Sequence, residues 1–173
     1  LKALMARLHA VPHLDWLRIH TRVPVVQPDM LTPATLAALQ GDKPVTLALH
    51  VNHARELTPA ATDALRKLHQ AGHMLVSQSV LLRGINDTVE TLADLFHTLV
   101  KQRVKPYYLH HPDLAAGTGH FRVSLTRGKA LMDAVRQRVS GLALPHYVID
   151  IPGGIAKIPV TSDHVQPIPA QPG

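Results

Sequence analysis

The sequence predicts an α/β fold built on a parallel sheet, in which a (β/α) barrel and a doubly wound sheet are both admissible. Three observations carry this. Strand-like and helix-like patterns alternate through the first three-quarters of the 173 residues. The central helical segments open on Thr-Pro pairs, and glycines follow their ends. The strand patterns finish in polar side chains, which is where both architectures place their sites.

Leu1, Leu4, Met5 and Leu8 have helical spacing and lead into a strand-like run, Trp16 to His20, followed by Val23-Pro24-Val25-Val26. Thr32 is placed to cap a short helix that starts at Pro33 and runs through Leu39, with Gly41 closing it. Val45 to Val51 alternates as a strand and ends in Asn52-His53. The unit then repeats. Thr58-Pro59 opens a helix with Ala61, Leu65 and Leu68 on one face, and Gly72 ends it. Met74 to Leu82 reads as a strand and residues 83–87 as a turn. Leu92, Leu95, Phe96 and Leu99 mark a helix over Val89 to Gln102, and Tyr107 begins the next strand. This βαβαβ order requires crossover connections and favours parallel pairing. After Asp113 the pattern changes to a loop over Ala115–His120, a helix over Thr126–Ser140 and two short strand-like runs, Tyr147–Ile149 and Lys157–Val160, joined by Pro152-Gly153-Gly154.

The composition is 46% apolar and 17% charged, which excludes a disordered chain. No apolar run approaches the roughly 20 residues of a membrane span, and a cytoplasmic location is expected. There is no cysteine, so disulfides, thiolate metal sites and cysteine nucleophiles are excluded within this chain. Eighteen Lys and Arg against 12 Asp and Glu give a net charge of +6. Those positive residues are scattered and aromatics are few, so nucleic acid is not the expected partner.

The strand ends offer His20 and Arg22, then His50, Asn52 and His53, then Gln78 and Ser79, then His110, His111 and Asp113. They read equally as the walls of a ligand site and as ordinary loop beginnings. His50/His53 and His69/His73 read as polar residues rather than metal pairs. Gly117-Thr118-Gly119 is too short for a dinucleotide fingerprint. Lys157, just beyond a Gly-Gly turn, has two readings: an exposed hairpin lysine, or an amine placed to form a Schiff base with a carbonyl cofactor.

Four segments occur in order: residues 78–87 (QSVLLRGIND), 105–109 (KPYYL), Asp113-Leu114 with Gly119-His120-Phe121-Arg122, and 150–159. Together they resemble the lysine 2,3-aminomutase family of radical S-adenosylmethionine enzymes over about residues 1–160. The resemblance implies the later strands of a partial (β/α)6-type radical SAM barrel plus a C-terminal strand/helix segment. Residues 1–113 would form barrel units, 114–160 a segment for pyridoxal phosphate and substrate, and 161–173 a Pro-rich tail. Lys157 matches the lysine that holds pyridoxal phosphate. Asp113 and Asp150, 37 residues apart, match the aspartates that bind the distal ammonium of substrate lysine. Gln78, at a strand end, and His50 are expected to touch cofactor as well. The implied reaction moves the α-amino group of lysine to the β-carbon with a 5′-deoxyadenosyl radical, S-adenosylmethionine, a 4Fe-4S cluster and pyridoxal phosphate. A homo-oligomer is implied for the whole enzyme.

Two departures stand against that pattern. The family's cluster is held by Cys-x3-Cys-x2-Cys, upstream of everything matched here, and this chain has no cysteine. Residue 1 is therefore expected to fall inside the barrel, and the isolated 173 residues are expected to be inactive. The family also often carries four glycines where this chain has Gly153-Gly154-Ile155-Ala156, which implies a tighter cofactor space. The related aminomutase that makes (R)-β-lysine for elongation factor P is the nearest alternative. A cluster-free remnant that binds pyridoxal phosphate without catalysis is another.

Overall fold

A computed structural model describes residues 1–151, 153–154 and 156–160. The expected tail, 161–173, and the departure at Ile155 lie outside the described residues, as does Pro152.

The chain runs α1 (Lys2–His9), β1 (Leu17–Thr21), α2 (Val23–Val26), α3 (Pro33–Ala38), β2 (Val45–His50), α4 (Pro59–Gln70), β3 (Met74–Val80), α5 (Val89–Lys101), β4 (Lys105–His110), α6 (Leu125–Arg136), β5 (His146–Ile149) and β6 (Ile158–Pro159). Among the described residues these strands form one sheet in the order β1-β2-β3-β4-β5-β6. Pairing is parallel from β1 to β5, and β6 is antiparallel to β5. The order never reverses. A doubly wound sheet requires a reversal at its switch point, so the sheet is singly wound, as in a barrel.

Local chemistry accounts for the helix starts. The hydroxyls of Thr32, Thr58 and Thr88 accept from the backbone N–H of Thr35, Ala61 and Thr91, each at 3.2 Å. Ser124 caps α6 in the same way through Arg127 N–H. After α4, Gly72 takes a φ of 86°, a left-handed conformation that side chains other than glycine's resist.

One face of the sheet is packed. Leu47, Leu49, Leu75 and Leu109 bury against Leu65 and Leu68 of α4, Leu92, Leu95, Phe96 and Leu99 of α5, and Leu131, Met132 and Val135 of α6. Each such side chain contributes about 1.5–3 kcal/mol on leaving water. Ala48, Val76 and Val148 are buried too but stand outside this core cluster, on the sheet's other face.

Three details differ from the sequence reading. Val23–Val26 is a helical turn instead of a strand continuation, with Pro24 in its first turn and both Val25 and Val26 donating to the Arg22 carbonyl. Proline's fixed φ and missing N–H suit a helix start better than a ladder. The fourth strand begins at Lys105, two residues early, and passes through Pro106. It does so beside a register shift, where the pairing moves from Ser77–Pro106 to Gln78–Tyr108 and a missing donor is tolerated. The last helix ends at Arg136 rather than Ser140, although Val139 still packs against the core.

Candidate functional site

The core-free face of the sheet carries a transverse row of polar and aromatic side chains. His50 of β2 is in register with Gln78 of β3, Gln78 with Tyr108 of β4, and Tyr108 with His146 of β5. Period-two alternation puts Leu49, Ser79, Leu109 and Tyr147 on the packed side, so this row projects the other way. Tyr108 stacks obliquely on Tyr107, ring centroids 4.0 Å apart, and meets His110 edge-on at 5.6 Å.

At the end of β5 lies an ionic cluster. Lys157 donates from Nζ to both carboxylate oxygens of Asp150 at 2.8 Å. The same ammonium stands 5.8 Å from the Tyr108 ring centroid, within cation–π range. His110 Nδ1 lies 3.2 Å from Asp150 Oδ2, so the imidazole and the ammonium share one oxygen. The Lys157 ammonium and the His110 hydrogen bond hold the Asp150 carboxyl below the usual carboxylate range, the lysine hydrogen bond being the largest cause. Burial, followed by the Lys157 charge, pushes His110 down, and Asp150 works against both. A carboxylate only accepts, so His110 donates to it from a protonated Nδ1.

His50 is half-buried, and its pKa falls first from burial and then from the Arg22 guanidinium, with Glu56 opposing and His110 adding to the fall.

The strand exits are braced by side chains that the sequence reading left without a role. Glu56 Oε1 accepts from Asn52 N–H at 2.7 Å and His53 N–H at 2.9 Å, while its Oε2 pairs with Arg22 at 3.0 Å. Asn86, fully buried, donates to the carbonyls of Asn52 and Val80 and accepts from Leu82 N–H. Only the Arg-Gly-Ile-Asn-Asp composition hinted at a turn here; nothing in it announced that Asn86 reaches back to another loop.

The structure brings together Lys157 and Asp150, sets Gln78 and His50 in one row beside Tyr108, and adds His110. Asp113 is exposed, and among the described residues no hydrogen bond or ion pair joins it to Asp150 or Lys157. Its charge nevertheless raises the pKa of both His110 and His111 against their burial. Other sequence candidates serve the scaffold. Ser79 is buried and donates to the Val51 carbonyl. His53 Nδ1 accepts from Arg55 N–H, and His73 is buried beside Gln40.

Chemically, the cluster holds one primary ammonium, that of Lys157, between a carboxylate and an aromatic face, with an imidazole on the carboxylate. The same amine is able to condense with an aldehyde.

No model of a known protein family matches the chain. It is 42% identical over 165 residues to the L-lysine 2,3-aminomutase of Fusobacterium nucleatum, covering 95% of this chain and 39% of that protein. To the enzyme of the same name from Clostridium subterminale it is 41% identical over 165 residues, covering 95% and 40%. The one from Escherichia coli is 38% identical over 158 residues, covering 91% and 46%. The chain thus spans about two-fifths of the length of these relatives. Among solved structures, a radical SAM methyltransferase from Sphaerobacter thermophilus aligns over 86% of this chain and 38% of its own, with a TM-score of 0.44 and 17% identity.

Proposed function

The chain belongs to the lysine 2,3-aminomutase family over the region its relatives match, and from that premise we propose that it forms the pyridoxal- and lysine-binding part of an enzyme moving the α-amino group of lysine to the β-carbon. The observation that carries this reading is the seat at Asp150, where a carboxylate accepts a primary ammonium through both oxygens.

In this reading the C-terminal segment, 114–160, brings Asp150 and Lys157 to barrel units within 1–113. Lys157 is the point of attachment for pyridoxal phosphate. The residues fit that cofactor: the amine is reachable, its side chain 38% exposed, and it faces the row that includes Gln78 and Tyr108. When bound, pyridoxal phosphate supplies an aldehyde and a conjugated ring that spreads unpaired electron density. Asp150 and Asp113 take the distal ammonium of lysine and so set the length of amino acid accepted. Gln78 and His50 would add polar contacts to a bound cofactor.

The 4Fe-4S cluster is different. It needs thiolates, and the 173 residues contain none, so the residues present do not fit it and no step is drawn through it.

The test is anaerobic conversion of L-lysine to β-lysine by this chain extended upstream with a Cys-x3-Cys-x2-Cys segment and supplied with cluster and cofactors, with the pyridoxal absorbance read in parallel. Lys157→Ala should abolish both signals; unchanged absorbance and turnover would overturn the reading. For the 173 residues alone the expected result is pyridoxal capture at Lys157, trapped by borohydride and mapped by mass, without turnover.

A further inference from the structure

Lys157 and an incoming ligand ammonium compete for the same atoms. Asp150 has two carboxylate oxygens, and Lys157 Nζ donates to both of them at 2.8 Å. The ammonium also covers the Tyr108 ring from 5.8 Å. Any second primary ammonium taking this seat meets the first one there. Two cations at one carboxylate repel, and Lys157 and His110 already take three of its roughly four acceptor sites.

We propose that Lys157 is the resting occupant of the Asp150 seat, that its capture by an aldehyde vacates the seat for an external primary ammonium, and that His110 keeps the carboxylate in place during the exchange. This rests on the function proposed above for the identity of the two ligands, but the exclusion itself does not depend on it. The chemistry balances simply. Lys157 first loses one proton to water. The free amine adds to the carbonyl carbon, and one water leaves as the C=N bond forms. An imine nitrogen offers at most one N–H where the ammonium offered three, so the two-oxygen contact ends. Asp150 then keeps one partner of those described: His110, whose Nδ1 lies 3.2 Å from Oδ2.

The linkage is reciprocal. An aldehyde on Lys157 tightens the site for an ammonium ligand, and the ligand, by occupying Asp150, favours aldehyde capture. The site therefore reads as ordered, cofactor first and substrate second. The side chains of Lys157 and Asp150 are 38% and 42% exposed, so the restraint is modest, about two- to fivefold, as for half-exposed ion pairs.

His110 is a positioning residue in this scheme. Its side chain is 17% exposed, packed against Tyr108, and better fixed than either ion. An asparagine there has an amide N–H near the position of Nδ1, whereas phenylalanine keeps the ring volume and loses the donor.

Two measurements on the full chain test this. In the first, lysines are reductively methylated with formaldehyde and cyanoborohydride, and rates are read by peptide mass with exposed Lys2 and Lys101 as internal standards. Lys157 should react about two- to fivefold faster in Asp150→Asn than in the unaltered chain; equal rates would overturn the exclusion. In the second, L-lysine is titrated against Lys157→Ala and the unaltered chain with binding read by calorimetry. Tighter binding to Lys157→Ala is expected, and equal binding to both chains overturns the proposal. Lys157→Ala/His110→Phe should lose most of that gain and Lys157→Ala/His110→Asn should keep it; matching losses would remove His110 from the scheme. Faster methylation in Asp150→Asn with no lysine binding to any chain would leave the exclusion standing and count against lysine as the ligand.

Discussion

The Asn86 side-chain amide donates to the backbone carbonyl of Asn52 at 2.8 Å, across 34 residues of sequence. Its second N–H donates to the Val80 carbonyl at 2.9 Å, and its oxygen accepts from Leu82 N–H at 2.7 Å. Asn52 answers by accepting from Val80 N–H at 2.9 Å. The exits of β2 and β3 are thus tied together just beyond His50 and Gln78, which sets how those two side chains stand beside one another.

Asn86→Ala removes these interactions at a fully buried position. At about 1 kcal/mol per hydrogen bond, plus the cost of leaving buried partners unpaired, the loss should reach about 3 kcal/mol or more. Urea unfolding measures it, and a loss under about 1 kcal/mol would mean that solvent reaches these groups. Asn86→Asp should not rescue, because a carboxylate cannot donate to the two carbonyls.

Gly128 is held small by Tyr147. A Cβ at Gly128 would stand 2.0 Å from the Tyr147 hydroxyl and 2.8 Å from its Cζ. That hydroxyl lies 2.7 Å from His111 Nδ1, and burial raises the phenol's pKa. Gly128→Ala should therefore cost about 1–3 kcal/mol by overpacking and displace the tyrosine from His111. Gly128→Ala/Tyr147→Phe should recover only part, since Cζ remains too close. Thermal unfolding of the single and double variants decides it: full recovery, or no initial loss, refutes the contact.

Four histidines are pushed below their ordinary value, with burial the largest cause for each: His50, His73, His110 and His111. The unfolded chain therefore takes up protons first as pH falls, so the stability is full above the ordinary histidine range. It is lost as pH drops from there toward the folded-state values. The melting temperature should fall between pH 7.5 and pH 5, and His73→Gln should flatten the slope. A melting temperature constant across that interval would show that these rings are as solvated folded as unfolded.

Much of the fold was legible because its signals are local. The Thr-Pro caps, the i, i+3, i+4, i+7 stripe of α5 and the alternation of β2 each lie within one element. Pro24 misled because Val-Pro-Val-Val has strand composition, while the helical turn there depends on donation to Arg22. Periodicity gives no information on neighbours and left barrel and doubly wound sheet equivalent; the family resemblance implied the barrel, and the strand order β1 to β6 agrees with it. At the site, Lys157 and Asp150 stood out through a motif. His110 was visible only as one of several polar strand ends. Its importance comes from the β4–β5 register, which sets it beside Val148, two residues before Asp150.

Asp113 provides the last test, because a joint seat for a distal ammonium needs both carboxylates near one point. Asp113 opposes the burial-driven fall in both His110 and His111, whereas Asp150 acts on His110. Asp113→Asn should lower the titration midpoints of both rings. Asp150→Asn should lower His110, through the lost charge and hydrogen bond, and leave His111 in place. Imidazole chemical shifts against pH separate these patterns. If Asp113→Asn moves neither ring, its carboxylate is too far from His110 to share a ligand with Asp150. The proposed seat for a distal ammonium would then consist of Asp150 and Tyr108.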